Sequence, residues 1–142
     1  MSRVYWDSML FIYMIEGHPT YASRVKEIFE EMERRGDVLC TSVFTIGEVL
    51  TGPRKIGAQI VVDRTRQFFL DSNQVDILPF NISTSDRYSL IRATTTARSA
   101  DAIHLASASE SGVDLFITHD KRLQRLAIPG IHFITGLDTN LF

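Results

Sequence analysis

The 142-residue chain contains a single cysteine, Cys40, and no long apolar run. One cysteine excludes an internal disulfide and any zinc site built on cysteines. Because Cys40 lies in the apolar run DVLCTSV, we expect it in the core. No apolar run reaches the length of a membrane span, and the start MSRVYWD lacks the long apolar centre of a signal peptide. These absences predict a soluble cytoplasmic protein.

An excess of basic charge is also absent, since 15 Lys and Arg face 17 Asp and Glu and the formal net charge is −2. There is therefore no global basic field to indicate nucleic-acid binding, although a local basic rim would be enough. The chain is 44% hydrophobic and 23% charged, so it can bury a normal core and should not be disordered. Its length, without repeats or an obvious linker, predicts a single domain over residues 1–142.

Short apolar runs alternate with helical patterns along the whole chain. RVYW, DVLCTS, VDILPF and DLFIT predict strands, and IHFIT is a candidate fifth. Helices are predicted over SMLFIYMIEG, residues 21–35, VFTIGEVLTG (ending near Gly52-Pro53), residues 56–71, residues 83–98, SADAIHLASASESG and the short KRLQRLA. Strands that are apolar throughout and separated by helices indicate a parallel sheet covered on both faces. We therefore predict an α/β fold with three layers, α/β/α, and a mostly parallel central sheet.

Acidic residues occupy the positions where such a fold binds ligands, at the carboxyl ends of its strands. Asp7 directly follows the first strand and Asp120 follows the fourth. Glu48 lies in the helix after the second strand, within TIGEVL. Asp101 lies in the first turn of the helix before the fourth strand, within RSADAIHLA. If the first, second and fourth strands are neighbours, these side chains meet in one crevice.

Each acid also has a purely structural explanation. Asp7 and Asp120 could be N-caps, and Asp101 could favour the positive end of its helix. Glu48 could pair with Arg54 or face water, but among apolar neighbours it needs a partner if it is buried. Four carboxylates in one crevice could not all stay ionised without a counter-charge, which Mg²⁺ or Mn²⁺ would supply. The chemistry that best suits such a site is attack of metal-activated water on a phosphodiester.

Four blocks of the sequence, VYWDS, TSVFTIGEV, SADAIHLASA and LFITHDKRL, resemble in the same order the blocks of PIN domains, especially VapC-type toxins of bacterial and archaeal toxin–antitoxin pairs. The resemblance covers nearly the whole chain and implies a PIN-like fold. It implies that the metal-binding carboxylates are Asp7, Glu48, Asp101 and Asp120. It also assigns to Thr118 the threonine or serine whose hydroxyl helps to orient the acidic cluster.

The resemblance further implies a Mg²⁺- or Mn²⁺-dependent ribonuclease with an RNA substrate, a homodimer, and a small antitoxin protein whose segment covers the active site. Ser8 falls where the family often has a small polar residue. His119 departs from the pattern, because that position is commonly asparagine or another small polar residue. A direct role for His119 is disfavoured, since oxygen-rich Mg²⁺ sites seldom need imidazole. His104, one turn after Asp101, could contact a carboxylate, but a packed or surface position is the more usual one.

Basic and aromatic side chains near the acids allow two interpretations each. A basic rim could hold RNA phosphates, or the same side chains could be solvated helix ends; they are Arg54, Lys55, Arg98, Lys121 and Arg122. Aromatic rings could stack on bases, although core positions are their commoner use; they are Tyr21, Phe44 and Tyr88.

Two other functions are compatible with the predicted fold. The domain could be a binding or scaffold module without turnover, although degenerate PIN-like modules often lose one of the four acids and all four are present here. A phosphotransfer or phosphatase domain would need a nucleophilic aspartate in a motif such as D-x-D. This chain instead has Asp7-Ser8-Met9 after its first strand and lacks a glycine-rich phosphate loop.

Overall fold

A computed structural model describes residues 1–71 and 73–142. The strands are β1 (Arg3–Trp6), β2 (Val38–Ser42), β3 (Val75–Leu78), β4 (Val113–Ile117) and β5 (Ile131–Thr135). The helices are α1 (Ser8–Glu16), α2 (Ala22–Arg35), α3 (Val43–Lys55), α4 (Gln59–Asp71), α5 (Ile82–Thr94) and α6 (Ser99–Ser111), followed by a short 3₁₀ helix, Leu123–Arg125. In this part of the chain no helix is both long enough and apolar enough to cross a membrane.

The five strands form one parallel sheet in the order β3-β2-β1-β4-β5. Side chains alternate along each strand, so the core divides between the two faces of the sheet. Val4 and Trp6 of β1 pack with α1, α2, α3 and α4 on one face, whereas Tyr5 packs with α5 and α6 on the other. Cys40 is fully buried, as expected. The predicted three-layer α/β fold is confirmed, and the sheet is parallel throughout.

The order of the strands brings the loops of interest to one edge. β1 lies between β2 and β4, with Val4 opposite both Leu39 and Leu115. Because all three strands are parallel, the segments that follow them begin at the same edge of the sheet. α6 leads into β4 after a glycine turn at Gly112, so its first residues lie back towards that edge.

Several helix boundaries differ from prediction for local reasons. α3 does not end near Gly52-Pro53 but continues to Lys55, with Pro53 buried inside it. The next helix begins at Gln59 rather than 56, because Gly57 adopts a positive φ of 68° and separates the two helices. α5 ends at Thr94, since Thr95 is extended, and residues 95–98 are not helical. The segment KRLQRLA forms only the 3₁₀ turn before the chain becomes extended at Leu126.

Candidate active site

Asp7 joins the end of β1 to the loop after β4. It is the N-cap of α1, where its Oδ1 accepts a hydrogen bond of 3.1 Å from the backbone N–H of Met9. Its own N–H donates to the carbonyl of Ile117 (3.2 Å), and its Oδ2 accepts from the hydroxyl of Thr118 (2.7 Å). The capping explanation is therefore correct but incomplete, because capping occupies only one of the two carboxylate oxygens.

Thr118 connects two of the four acids through a single hydroxyl. The side chain is fully buried, and its Oγ1 donates to Asp7 Oδ2 while accepting from the backbone N–H of Asp120 (3.1 Å). A hydroxyl can donate and accept at once, so both bonds form together. Thr118 thus links the start of the Asp120 turn to Asp7.

The carboxylate of Asp120 is bound by Arg122. Its Oδ1 accepts from the backbone N–H and Nε of Arg122 at 2.9 and 3.2 Å, and its Oδ2 accepts from Nη2 at 2.7 Å. These hydrogen bonds, against some desolvation, lower the pKa of Asp120. Arg122 is therefore not merely a solvated charge, although 55% of its side chain is exposed.

Asp101 carries the opposite perturbation. Burial, followed by the negative charges of Asp120 and Asp7, raises the pKa of this carboxyl. Among residues 1–71 and 73–142, its side chain has no hydrogen-bonding or ion-pair partner. The first turn of α6 therefore lies near enough to Asp7 and Asp120 for their negative charges to act on Asp101.

Glu48 reaches the same edge from α3. Its Oε1 accepts hydrogen bonds from the hydroxyl of Ser8 and from Nε2 of His104, the latter at 2.5 Å. Partial burial opposes ionisation of Glu48, but the hydrogen bonds from His104 and Ser8 outweigh it and lower its pKa. The suggested pairing with Arg54 is wrong. Ser8 follows Asp7 directly and His104 lies one turn after Asp101, so Glu48 is bonded to side chains close in sequence to two other acids.

His104 is the functional candidate that sequence reasoning undervalued. It is packed, at 3% exposure, but it is also bound to Glu48 and, through Nδ1, to the hydroxyl of Tyr5 at 2.6 Å. A signal was available in SADAIHLASASES, where a lone imidazole among alanines needs a polar partner if it is buried. The sequence did not indicate which residue this partner is, because Glu48 lies 56 residues away.

The ring side chains near the acids contact one another and form a single cluster rather than a separate site; they are Tyr13, His18, Tyr21 and His119. His119 Nδ1 lies 2.6 Å from the hydroxyl of Tyr13, and its ring centroid lies 4.4 Å from that of Tyr21. Tyr13 also contacts His18. Burial, then the charges of Tyr21 and Asp7, raises the pKa of Tyr13, so this cluster adjoins the acids. Of the other candidates for stacking, Phe44 contacts His104 and Tyr88 bonds to Ser99, both partly buried.

The acids match a hard divalent cation in chemistry but are not already arranged around one. Within the described chain, no three His, Cys, Asp or Glu side chains are grouped so as to hold a metal ion. Arg122 occupies both oxygens of Asp120. The donors are nevertheless carboxylates, which suit Mg²⁺ and Mn²⁺, and the repulsion felt by Asp101 is the charge excess that a cation relieves. The fit to such an ion is therefore one of donor chemistry and not of the arrangement seen here.

Comparison with known proteins places this geometry in context. The family model of the PIN domain matches residues 4–129. No curated protein sequence matches significantly.

Solved structures share the fold. VapBC2 from Rickettsia felis, bound to a DNA fragment from its promoter, aligns with a TM-score of 0.74 and 15% identity, covering 94% of this chain and 98% of that chain. DNA-bound VapBC from Salmonella typhimurium aligns with a TM-score of 0.73 and 21% identity, covering 96% of this chain and 99% of that chain. VapC20 from Mycobacterium tuberculosis is a toxin that cleaves the sarcin-ricin loop. It aligns with a TM-score of 0.67 and 12% identity, covering 80% of this chain and 86% of that chain. At these identities the likeness concerns the fold.

Proposed function

The chain belongs to the PIN domain family, and from that membership we propose that it is a divalent-cation-dependent ribonuclease acting as the toxin of a toxin–antitoxin pair. The observation that carries the proposal is the partly buried carboxylate of Asp101, which has no hydrogen-bonding or ion-pair partner in the described chain. Burial, and then the negative charges of Asp120 and Asp7, raise the pKa of this carboxyl. Structural ion pairs do not need this arrangement, whereas a cation site does.

In this proposal Asp7, Glu48, Asp101 and Asp120 hold Mg²⁺, with Mn²⁺ as a substitute, directly or through water. When bound, the ion would act as a Lewis acid that lowers the pKa of water and offsets charge on the phosphoryl oxygens. Thr118 keeps Asp7 and the Asp120 turn in register. If Asp120 held the cation, the guanidinium of Arg122 would be free to bind an RNA phosphate.

RNA is the proposed substrate, and the surroundings of the acids suit its phosphodiester backbone. Three exposed basic residues lie beside the acids and could hold the phosphodiester backbone; they are Arg98, Lys121 and Arg122. The Mycobacterium tuberculosis protein of the same fold is itself a toxin that cleaves the sarcin-ricin loop. In the hydrolysis the oxygen of water would bond to phosphorus while one of the two phosphorus–oxygen bonds to ribose breaks. The leaving ribose oxygen would take up the proton that the water loses and depart as an alcohol.

A small antitoxin and a second copy of the chain are the proposed protein partners. The Rickettsia felis and Salmonella typhimurium structures are VapBC complexes, which supports the antitoxin. The homodimer rests on the family resemblance.

A second candidate is a PIN-fold binding or scaffold module without turnover. The contact between Arg122 and Asp120 favours it, because an arginine already neutralises one of the four acids and the described chain has no ready cluster of metal ligands. The intact set of acids favours the nuclease.

Cleavage of a panel of RNAs by the purified chain separates the two. Mg²⁺ or Mn²⁺ should permit cleavage and EDTA should stop it. Asp7→Asn and Asp101→Asn should each lose activity while remaining folded by circular dichroism. Asp86→Asn, on the exposed surface of α5, is the matched control and should cleave like the parent. Metal-independent cleavage, or full activity of either site variant, would refute the shared cation site.

A further inference from the structure

The imidazole of His104 bridges the buried core and the acidic edge. Its Nδ1 lies 2.6 Å from the hydroxyl of Tyr5, which is fully buried, and its Nε2 lies 2.5 Å from Oε1 of Glu48. The hydroxyl of Ser8 lies 3.1 Å from Nε2 and donates to the same Oε1. The whole arrangement is buried except at the carboxylate, since 31% of the Glu48 side chain is exposed against 4% of His104.

The hydrogen-bond network determines which ring nitrogen donates to Glu48. A carboxylate only accepts, and the hydroxyl proton of Ser8 is already directed at it, so Nε2 must carry a hydrogen to contact Oε1 favourably. The oxygen of Tyr5 accepts the backbone N–H of Ser42 (3.1 Å) and donates its own hydrogen to Nδ1. A neutral imidazole thus has its proton on Nε2, and a charged one has it there as well. The donation to Glu48 is independent of the charge of His104.

The same network joins the three elements that supply acids. Ser42, which donates to Tyr5, is the N-cap of α3 and accepts from Phe44 N–H at 3.1 Å. The hydroxyl of Ser107 on α6 donates to that of Ser42 at 3.3 Å. Buried hydrogen bonds therefore connect β1, α3 and α6, the elements that supply or adjoin Asp7, Glu48 and Asp101.

We infer that His104 is a positioning residue for Glu48: it fixes Oε1 and leaves Oε2 as the oxygen available to a cation or to its water. The inference rests on the proposed function. In the described chain the hydrogen bonds to Glu48 all converge on Oε1, so the carboxylate is held without both of its oxygens being used. A flexible glutamate fixed in this way loses its rotamer freedom during folding rather than on ligand binding.

Two amide substitutions separate positioning from packing. In His104→Gln the side-chain amide nitrogen falls near Nε2, which keeps a donor for Glu48 and loses the partner of Tyr5. In His104→Asn the amide falls near Nδ1, which keeps a partner for Tyr5 and loses the donor to Glu48. Both introduce an amide into the same buried space, so a purely structural role predicts similar losses.

Mn²⁺ affinity by isothermal titration calorimetry is the primary measurement, with melting temperature of the metal-free protein and the kcat and KM for RNA beside it. We expect His104→Asn to weaken Mn²⁺ binding by about 10-fold or more, the usual effect of removing a partner of a metal ligand. Its kcat should fall while KM for RNA changes little. His104→Gln should bind Mn²⁺ within about threefold of the parent, because the donor that orients the carboxylate is kept.

Equal losses in both variants, or undiminished Mn²⁺ binding by His104→Asn, would overturn the inference while the parent still bound Mn²⁺ and cleaved RNA. A parent that neither binds Mn²⁺ nor cleaves RNA would instead overturn the proposed function, and the inference with it. If the variants fail to fold, ¹⁵N NMR of the parent decides. A proton on Nε2 of His104, perturbed by Glu48→Gln, is expected, and a bare Nε2 refutes the contact.

Discussion

Arg122 binds the carboxylate of Asp120 through its backbone N–H, Nε and Nη2, although only one residue separates the two in sequence. The guanidinium binds both carboxylate oxygens of Asp120, and a cation at this residue would need the same oxygens. Under the proposed function, arginine and metal ion would compete for the two carboxylate oxygens of Asp120.

Removal of the guanidinium should strengthen cation binding. We expect Arg122→Ala to bind Mn²⁺ up to roughly fivefold more tightly, because an exposed ion pair of about 1 kcal/mol no longer competes. Lys121→Ala is the matched control, since it removes the same charge from the neighbouring, exposed position. Calorimetry of both variants would measure the difference. Equal tightening by the two would indicate a general charge effect rather than competition for Asp120.

Asp120 and Asp101 should contribute to the pH dependence of folding stability with opposite sign. The pKa of Asp120 is lowered in the folded chain, mainly by Arg122, so its contribution to stability is present above the ordinary Asp value and is lost as pH falls through the lowered one. The pKa of Asp101 is raised, so its contribution is unfavourable above the raised value and disappears as pH falls below the ordinary one.

It follows that Asp120→Asn and Asp101→Asn should change stability in different directions at pH 7 without metal. We expect Asp120→Asn to lower the free energy of unfolding by about 1 kcal/mol. Asp101→Asn should be neutral or should raise it by up to about 1 kcal/mol, since lost repulsion is partly offset by a lost favourable interaction with the α6 dipole. Urea unfolding at pH 7 and pH 3 measures both. A large destabilisation by Asp101→Asn would indicate a structural role.

The hydroxyl of Thr118 should matter more than its methyl group. We expect Thr118→Val to lower the free energy of unfolding by about 1–3 kcal/mol, because the N–H of Asp120 and one oxygen of Asp7 lose a buried partner. RNA cleavage should fall with it. Thr118→Ser, which keeps the hydroxyl, should retain most of both. If valine proves as stable and as active as serine, the link between the two acids is not needed.

His119 should be dispensable for the reaction. His119→Asn introduces the side chain that is common at this position in the family and removes the bond to the Tyr13 hydroxyl. We expect a stability loss of about 0.5–1.5 kcal/mol and cleavage within about threefold of the parent. The RNA panel and a thermal melt supply both values. A loss of cleavage comparable to that of Asp7→Asn would instead assign His119 a direct role.

Helix caps and other local features of the fold could be predicted from sequence. Strand order and contacts between distant residues could be predicted only partly. Asp7 as an N-cap follows from its position between an apolar strand and a helix. The shared edge required β1 to lie between β2 and β4, a matter of strand order that periodicity does not specify. The resemblance to a family connected the acids, but not the contact between His104 and Glu48, which depends on how α3 and α6 pack across the chain.

Local patterns also misled where packing decided the outcome. Gly52-Pro53 is a reasonable helix terminus, yet Pro53 is buried and α3 passes through it. The pairing of Asp120 with Arg122 was within reach of sequence, because the partners are two positions apart. It was missed because both residues had separate explanations, one as a cap and the other as a basic rim.

The central position of β1 has a consequence for synthesis. β1 is made first, but one of its neighbours, β4, begins at Val113, and the hydroxyl that binds Asp7 belongs to a residue 111 positions later. A nascent chain that stops before β4 has β1 exposed as a sheet edge and lacks both Thr118 and Asp120. The acidic edge is therefore completed only after synthesis has passed Asp120, so a ribosome whose nascent chain ends before that residue carries no assembled site.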